Sequence, residues 1–208
     1  SKTLTKNFEE YDCFILSSSI VCCEEEIKTI NEIKSKTNKN ILVIGPFATN
    51  NPKKYIDAGA IVISGEPEFY FLKHTNFHLE NDKRIIEFKH DFSVDDLPIP
   101  LWDEIINDFE KVSNLFGRYK NIPILGTRGC PYSCYKYCVY PLQQGRKVKQ
   151  RKPEFIVDEI EHWINKGIKM FTFRDPVFSI NKKHTLEFCN EMQNRNVKCK
   201  FIIETHLK

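Results

Sequence analysis

Three of the chain's eight cysteines, Cys130, Cys134 and Cys138, fall in one short segment directly after the apolar run Ile122 to Leu125. Thiolates are soft ligands, and three of them at the mouth of one strand can hold three irons of a cubane iron-sulfur cluster. The fourth iron is then open to another ligand. Zinc is the alternative, but its tetrahedral sites usually pair two short C-x2-4-C or H-x3-5-H units, and no second pair accompanies these three cysteines. Disulfides would need an oxidising compartment, and nothing else in the sequence suggests secretion.

The elements that must position this segment are drawn from 208 residues, 41% of them hydrophobic and 12% aromatic, enough for one large or two small domains with real cores. Lys plus Arg exceed Asp plus Glu by 31 minus 28, giving +3, so charge alone supports neither a nucleic-acid nor a membrane partner. No window approaches the roughly 20 apolar residues of a membrane span; the most apolar stretch, Cys13 to Cys23, is broken by Ser17-Ser18-Ser19. No secretory signal opens the chain, so a cytoplasmic protein with reduced thiols is expected.

Tyr11 to Ser17, Ile41 to Ile44 and Ile61 to Ile63 read as buried strands, separated by an amphipathic helix from Glu24 to about Lys36 and a short helical turn at Tyr55. Strands this continuously apolar belong to a parallel sheet covered on both faces, whose ligands sit beyond the strands' carboxyl ends. Those ends are Ser17 to Ser19, Gly45 to Thr49 and Gly65 to Glu68. Phe77-His78-Leu79 and Ile85 to Phe88 flank the turn-rich Glu80-Asn81-Asp82-Lys83 and read as a β-hairpin. No pattern among His74, His78 and His90 supports a metal site, and they are given no role. Val94 to Trp102, with Pro98 and Pro100, reads as an extended linker.

Beyond it, strands are expected at Ile122 to Gly126, Ile168 to Phe173 and Phe201 to Ile203. A helix from Pro153 to Gly167 and another capped by Asn181 and carrying Leu186, Cys189 and Met192 should connect them. Cys189 and Cys199 are expected in the core. The run Gly145 to Lys152 carries five basic residues in eight. A solvated loop is the ordinary reading, and contact with an anionic substrate or nucleic acid the sharper one.

Gly129-Cys130-Pro131-Tyr132-Ser133-Cys134, with aromatic Tyr137 just before Cys138, resembles the radical S-adenosylmethionine (SAM) superfamily. Its usual signature is C-x3-C-x2-C; here the spacing is C-x3-C-x3-C, a residue that a loop can absorb. The loops Gly45-Pro46-Phe47-Ala48-Thr49 and Gly65-Glu66-Pro67-Glu68, the connector Leu97-Pro98-Ile99-Pro100-Leu101-Trp102 and the segment Tyr140 to Arg146 resemble the branch with a cobalamin-binding domain ahead of the barrel. No Asp-x-His-x-x-Gly occurs, so the histidine that ligates cobalt in some cobalamin proteins has no counterpart.

The resemblance implies an α/β chain with a Rossmann-like parallel sheet domain over residues 1–92, incomplete at its start and ending in the hairpin. A Pro-rich linker and helix over 93–120 follow, then the first part of a radical SAM partial (β/α) barrel over 121–208. It implies a four-iron, four-sulfur cluster on Cys130, Cys134 and Cys138, with SAM bound by Tyr137, Arg174, Asp175 and Glu204. Arg174-Asp175-Pro176 stands where a Gly-Gly-Glu segment commonly holds the SAM amino group. It places cobalamin at Ser17, Ser18, Ser19, Gly45, Pro46, Ala48, Thr49, Gly65 and Glu66. The implied activity is reductive cleavage of SAM to a 5′-deoxyadenosyl radical, with methyl transfer where cobalamin is present and a reductase or flavodoxin-type protein as electron donor. Only three barrel strands are found, so the chain is expected to be a piece of a longer polypeptide, without turnover by itself. The rival reading is a non-catalytic iron-sulfur or zinc module, with a fourth ligand from Cys189, Cys199 or a histidine.

Overall fold

The computed structural model describes residues 8–74, 84–87, 92–104, 121–132, 134 and 138–206. They form two compact units, Ser1–Phe92 with Tyr132–Arg146 and Ser93–Pro131 with Lys147–Lys208.

In unit one, strands β1 (Cys13–Ser17), β2 (Asn40–Ile44), β3 (Ile61–Ser64) and β4 (Ile85–Glu87) pair in parallel in that order. Ile41, Leu42 and Val43 are all buried in succession, as a strand covered on both faces requires. Ile41 and Val43 face a core with Phe14, Leu16 and Val62, closed by Ile30, Ile33 and Tyr55 from α1 (Cys23–Lys36) and α3 (Pro52–Asp57). Leu42 and Ile63 point to the other face, where they meet Tyr70 of α4 (Pro67–Lys73). Glu24, Glu25 and Glu26 in the first turn of α1 and Lys34 and Lys36 in its last suit the helix dipole. The helices α2 (Pro46–Asn50), α3 and α4 each open on a proline, whose missing N–H is one the first turn leaves unbonded anyway.

Of the hairpin expected around residues 80–83, the first arm, residues 77–79, and the turn lie outside the described residues. Ile85–Glu87 runs parallel to β3, with Val62 opposite Ile85, and so extends the sheet as its fourth strand.

Unit two holds a second parallel sheet, β5 (Asn121–Ile124), β8 (Met170–Phe173) and β9 (Lys200–Ile202), in the order β5-β8-β9. Pro123 cannot donate to a ladder, and β5 accordingly lies at an edge. Between β5 and β8 come a two-residue antiparallel ribbon, β6 (Thr127–Arg128) with β7 (Lys149–Gln150), and helix α6 (Pro153–Asn165). The short helix α5 (Tyr140–Gln144) belongs to unit one and lies against α2. Helix α7 (Lys182–Asn194) joins β8 to β9, and the Asn181 carboxamide oxygen accepts from the Lys183 and His184 amides to cap it.

The core of unit two gathers Ile122 and Ile124 of β5, Ile156, Val157, Ile160 and Trp163 of α6, Phe171 and Phe173 of β8, and Phe188 and Met192 of α7, with Ile99 and Trp102 packed against it. Phe173 is its centre, with ring centroids 4.7 Å from Phe178, 5.7 Å from Phe188 and 5.5 Å from Phe201. Cys189 is exposed, against expectation. The apolar stripe of α7 runs through Phe188 and Met192, one turn apart, and Cys189 stands about 100° round the helix from Phe188. Cys199 is half-buried beside that core. Phe201 and Ile202 of β9, and Ile203 after it, stay exposed. Among the described residues no helix is long and apolar enough to cross a membrane.

Both tryptophans, Trp102 and Trp163, lie in unit two, so their fluorescence reports that unit alone. Phe173→Ala should lower the stability read by tryptophan fluorescence in urea by about 3–5 kcal/mol. A loss under about 1 kcal/mol would remove Phe173 from the centre of the core.

Candidate functional site

The cysteine segment begins where β5 ends. Leu125 and Gly126 turn the chain into β6, and Gly129, at φ 87°, turns it again into Cys130. A positive φ favours a residue without Cβ. Cys130 is buried, Cys138 half-buried and Cys134 exposed, and all three are free thiols. Cys130 counts with unit two, and Cys134 and Cys138 with unit one. In kind and number these donors suit an iron-sulfur cluster. Among the described residues, however, no three His, Cys, Asp or Glu side chains are gathered to hold a metal ion. Tyr137 lies outside the described residues.

Parallel pairing brings the ends of β5, β8 and β9 to one edge of the unit-two sheet, with Arg174 and Asp175 just past β8 and Glu204 two residues past β9. The Phe178 amide donates to the Glu204 carbonyl at 2.9 Å and joins the two loops. Arg174 and Glu204 are exposed. Asp175 is 1% exposed and does not stand open at that edge. Its Oδ1 accepts the Gly126 N–H at 2.7 Å. Asp175 Oδ2 and Thr127 Oγ1 are buried and make no hydrogen bond of good geometry, although the Thr127 hydroxyl is near enough to favour the ionised carboxylate.

The basic run is neither a plain solvated loop nor an open anion site at its far end. Arg151 is buried, its Nη1 2.5 Å from Glu159 Oε2 and 3.0 Å from the Leu125 carbonyl. Its own N–H donates to the Gly126 carbonyl at 2.9 Å. Burial pushes the Glu159 carboxyl up, and Arg151 and His162 pull it back. The role of Arg151 was missed because a cation among cations reads as surface; the buried acid that pairs with it stands eight residues on, inside a helix.

In unit one the three strand-end loops meet at one edge and bond to each other. Ser18 Oγ accepts the Ala48 N–H at 2.9 Å, and Thr49 Oγ1 donates to the Gly45 carbonyl at 2.9 Å while accepting the Gly65 N–H at 3.1 Å. A Cβ on Gly45 would lie 3.0 Å from Ser18 Oγ, so this glycine lets the first two loops close. Pro46 opens α2 beside them, and Gly65 and Glu66 are buried. Ser17 is exposed, and the Ser19 N–H donates to Glu26 Oε1 at 2.8 Å. Glu26 Oε2 accepts from the buried Tyr55 hydroxyl at 2.6 Å, which fixes the first loop to α1 and α3. Burial and the Glu26 carboxylate both raise the Tyr55 pKa, keeping the phenol a donor. The hydroxyls of Ser18 and Thr49 are thus spent on loop shape, leaving small side chains and backbone along the edge. Glu26 and Tyr55 carried no sequence signal beyond their helices.

No protein-family model matches the chain. It is 28% identical over 186 residues to an uncharacterised methyltransferase of Pyrococcus horikoshii, covering 76% of this chain and 38% of that protein. It is 27% identical over 183 residues to an uncharacterised methyltransferase of Synechocystis, covering 86% of this chain and 32% of that protein. The chain therefore spans about a third of the length of these relatives. Among solved structures it is similar to the radical SAM methyltransferase TsrM from Kitasatospora setae, with TM-score 0.64 and 17% identity over 91% of this chain and 42% of that one. It is also similar to the cobalamin-dependent SAM radical enzyme OxsB, with TM-score 0.65 and 18% identity over 93% of this chain and 30% of that one. At these identities the likeness is one of fold.

Burial raises the Asp175 carboxyl from its ordinary 3.8 to about 6, against the pull of the Gly126 and Thr127 amides, the Thr127 hydroxyl and His184. A carboxyl whose pKa is higher folded than unfolded binds its proton more tightly in the native state. Its contribution is therefore most favourable below the unfolded value and declines as pH rises through the window from 3.8 to about 6. Relative to Asp175→Asn, the native chain should lose on the order of 1 kcal/mol between about pH 5 and about pH 7.5 in urea unfolding. A stability difference that stays flat, or grows in favour of the native chain, contradicts the raised pKa.

Proposed function

We propose that this chain, which has the fold of radical SAM proteins with a cobalamin-binding-type domain ahead of the barrel, is part of an enzyme that cleaves SAM reductively. The observation that carries the reading is the set of three free cysteines directly past the first strand of the unit-two sheet, where parallel α/β sheets place their chemistry. Cys130, Cys134 and Cys138 would hold a four-iron, four-sulfur cluster. Bound there, it supplies the electron that splits SAM into methionine and a 5′-deoxyadenosyl radical.

The chain's own residues provide ligation and orientation. Arg174 and Glu204, exposed beyond adjacent strands, are the side chains available to the amino-acid end of SAM. Tyr137 is assigned the aromatic position before the last cysteine. In unit one the edge formed by Ser17, Ser18, Ser19, Gly45, Pro46, Ala48, Thr49, Gly65 and Glu66 would take cobalamin, its small residues letting a broad, flat ligand approach the backbone. The methyltransferase relatives support methyl transfer as the outcome. The electron would come from a reductase or flavodoxin-type protein in the cytoplasm, where thiols stay reduced.

Anaerobic reconstitution should give about four irons and four sulfides per chain. Cys130→Ala, Cys134→Ala and Cys138→Ala should each abolish that uptake, while Cys22→Ala and Cys189→Ala leave it intact. Full iron and sulfide in Cys138→Ala would remove Cys138 from the ligand set. Zinc retained in place of iron would make this a structural metal site.

A further inference from the structure

We infer that Asp175 is the positioning residue of the cysteine segment: its carboxylate, set between the ends of β5 and β8, fixes Gly126 and so the direction in which Thr127 to Cys130 leave the sheet. The inference deepens the proposed function and rests on it for what the segment holds. The turn between β5 and β6 is held at the Gly126 carbonyl by the end rung of the β6–β7 ribbon, and elsewhere by side chains from outside it. The Leu125 carbonyl takes the Arg151 guanidinium at 3.0 Å, the Gly126 carbonyl takes the Arg151 N–H at 2.9 Å, and the Gly126 N–H goes to Asp175 Oδ1 at 2.7 Å. Asp175 is itself registered to β5, because the Arg174 N–H donates to the Ile124 carbonyl at 2.9 Å. The fit is tight: a Cβ on Gly126 would lie 3.0 Å from Asp175 Oδ2 and 3.4 Å from both Ile156 and Phe173.

What this carboxylate does here needs an acceptor and no charge. One oxygen serves the Gly126 amide, and the Thr127 amide and hydroxyl lie close to the carboxylate while Oδ2 makes no hydrogen bond of good geometry. An asparagine would keep the acceptor and offer its amide to the Thr127 oxygen. Binding the SAM ammonium group, by contrast, would use the negative charge, and asparagine would forfeit it. Positioning and ligand binding therefore predict opposite fates for Asp175→Asn.

The test compares native chain, Asp175→Asn and Asp175→Ala by amide hydrogen exchange, by iron uptake on anaerobic reconstitution and by SAM affinity from equilibrium dialysis. Asp175→Asn should match the native chain in iron and in SAM affinity, within about twofold, and should keep Gly126 protected. Asp175→Ala should speed exchange at Gly126 by at least about tenfold and lower iron uptake. A loss of SAM affinity in Asp175→Asn with iron intact overturns the inference, as does unchanged Gly126 exchange in Asp175→Ala. Should Asp175→Ala fail to fold, the native chain still decides: the Gly126 N–H, whose partner is the Asp175 carboxylate, must be as protected as the amides of β8, and rapid exchange there sinks the idea. No iron in the native chain would refute the cluster, while the exchange data would still judge the clamp.

Discussion

Unit two depends on one buried guanidinium. Arg151 joins the turn after β5, through the Leu125 and Gly126 carbonyls, to Glu159 inside α6, and its own carbonyl sits 2.6 Å from His184 Nε2 on α7. An ion pair this deep gives up hydration on both partners, so its net worth against a well-packed apolar pair is small. Breaking it from one side is another matter, since the remaining charge is stranded at a cost of roughly 3–5 kcal/mol. Such a contact adds little to net stability, yet it ties the turn after β5 and the helix α6 to one buried group. Asp175 holds the same turn through the Gly126 N–H.

The strands and helices were legible because their signals are local. Ile41 to Ile44 is an apolar run of strand length, Met170 to Phe173 is one interrupted only by Thr172, prolines and Asn181 mark helix starts, and Gly167, at φ 89°, marks the end of α6. Strand partners were not local: nothing in Ile85–Glu87 itself says that it pairs in parallel with β3. The face of α7 was misjudged by one stripe, since Leu186-Cys189-Met192 and Phe188-Met192 both satisfy a helical period and only the exposed Leu186 and Cys189 tell them apart. The three cysteines stood out by density alone. The groups that brace their approach did not, because Arg151, Glu159 and Asp175 are ordinary charged residues until the fold buries them.

Each unit offers its candidate residues at the carboxyl edge of its own parallel sheet, a consequence of strand direction more than of side-chain chemistry. The two edges differ in character. That of unit one is closed by hydroxyl-to-backbone bonds and lined by small residues, which suits a broad ligand held by shape. That of unit two carries exposed Arg174 and Glu204 past β8 and β9, side chains that suit a charged ligand.

The central claim is that the three cysteines hold a cluster with one iron left for SAM. Electron paramagnetic resonance of the anaerobically reconstituted, reduced chain with and without SAM tests it most directly. The account predicts the spin-half signal of a reduced four-iron cluster, with g-values that move when SAM is added. A cluster signal indifferent to SAM, or no cluster signal in reconstituted protein, would contradict it.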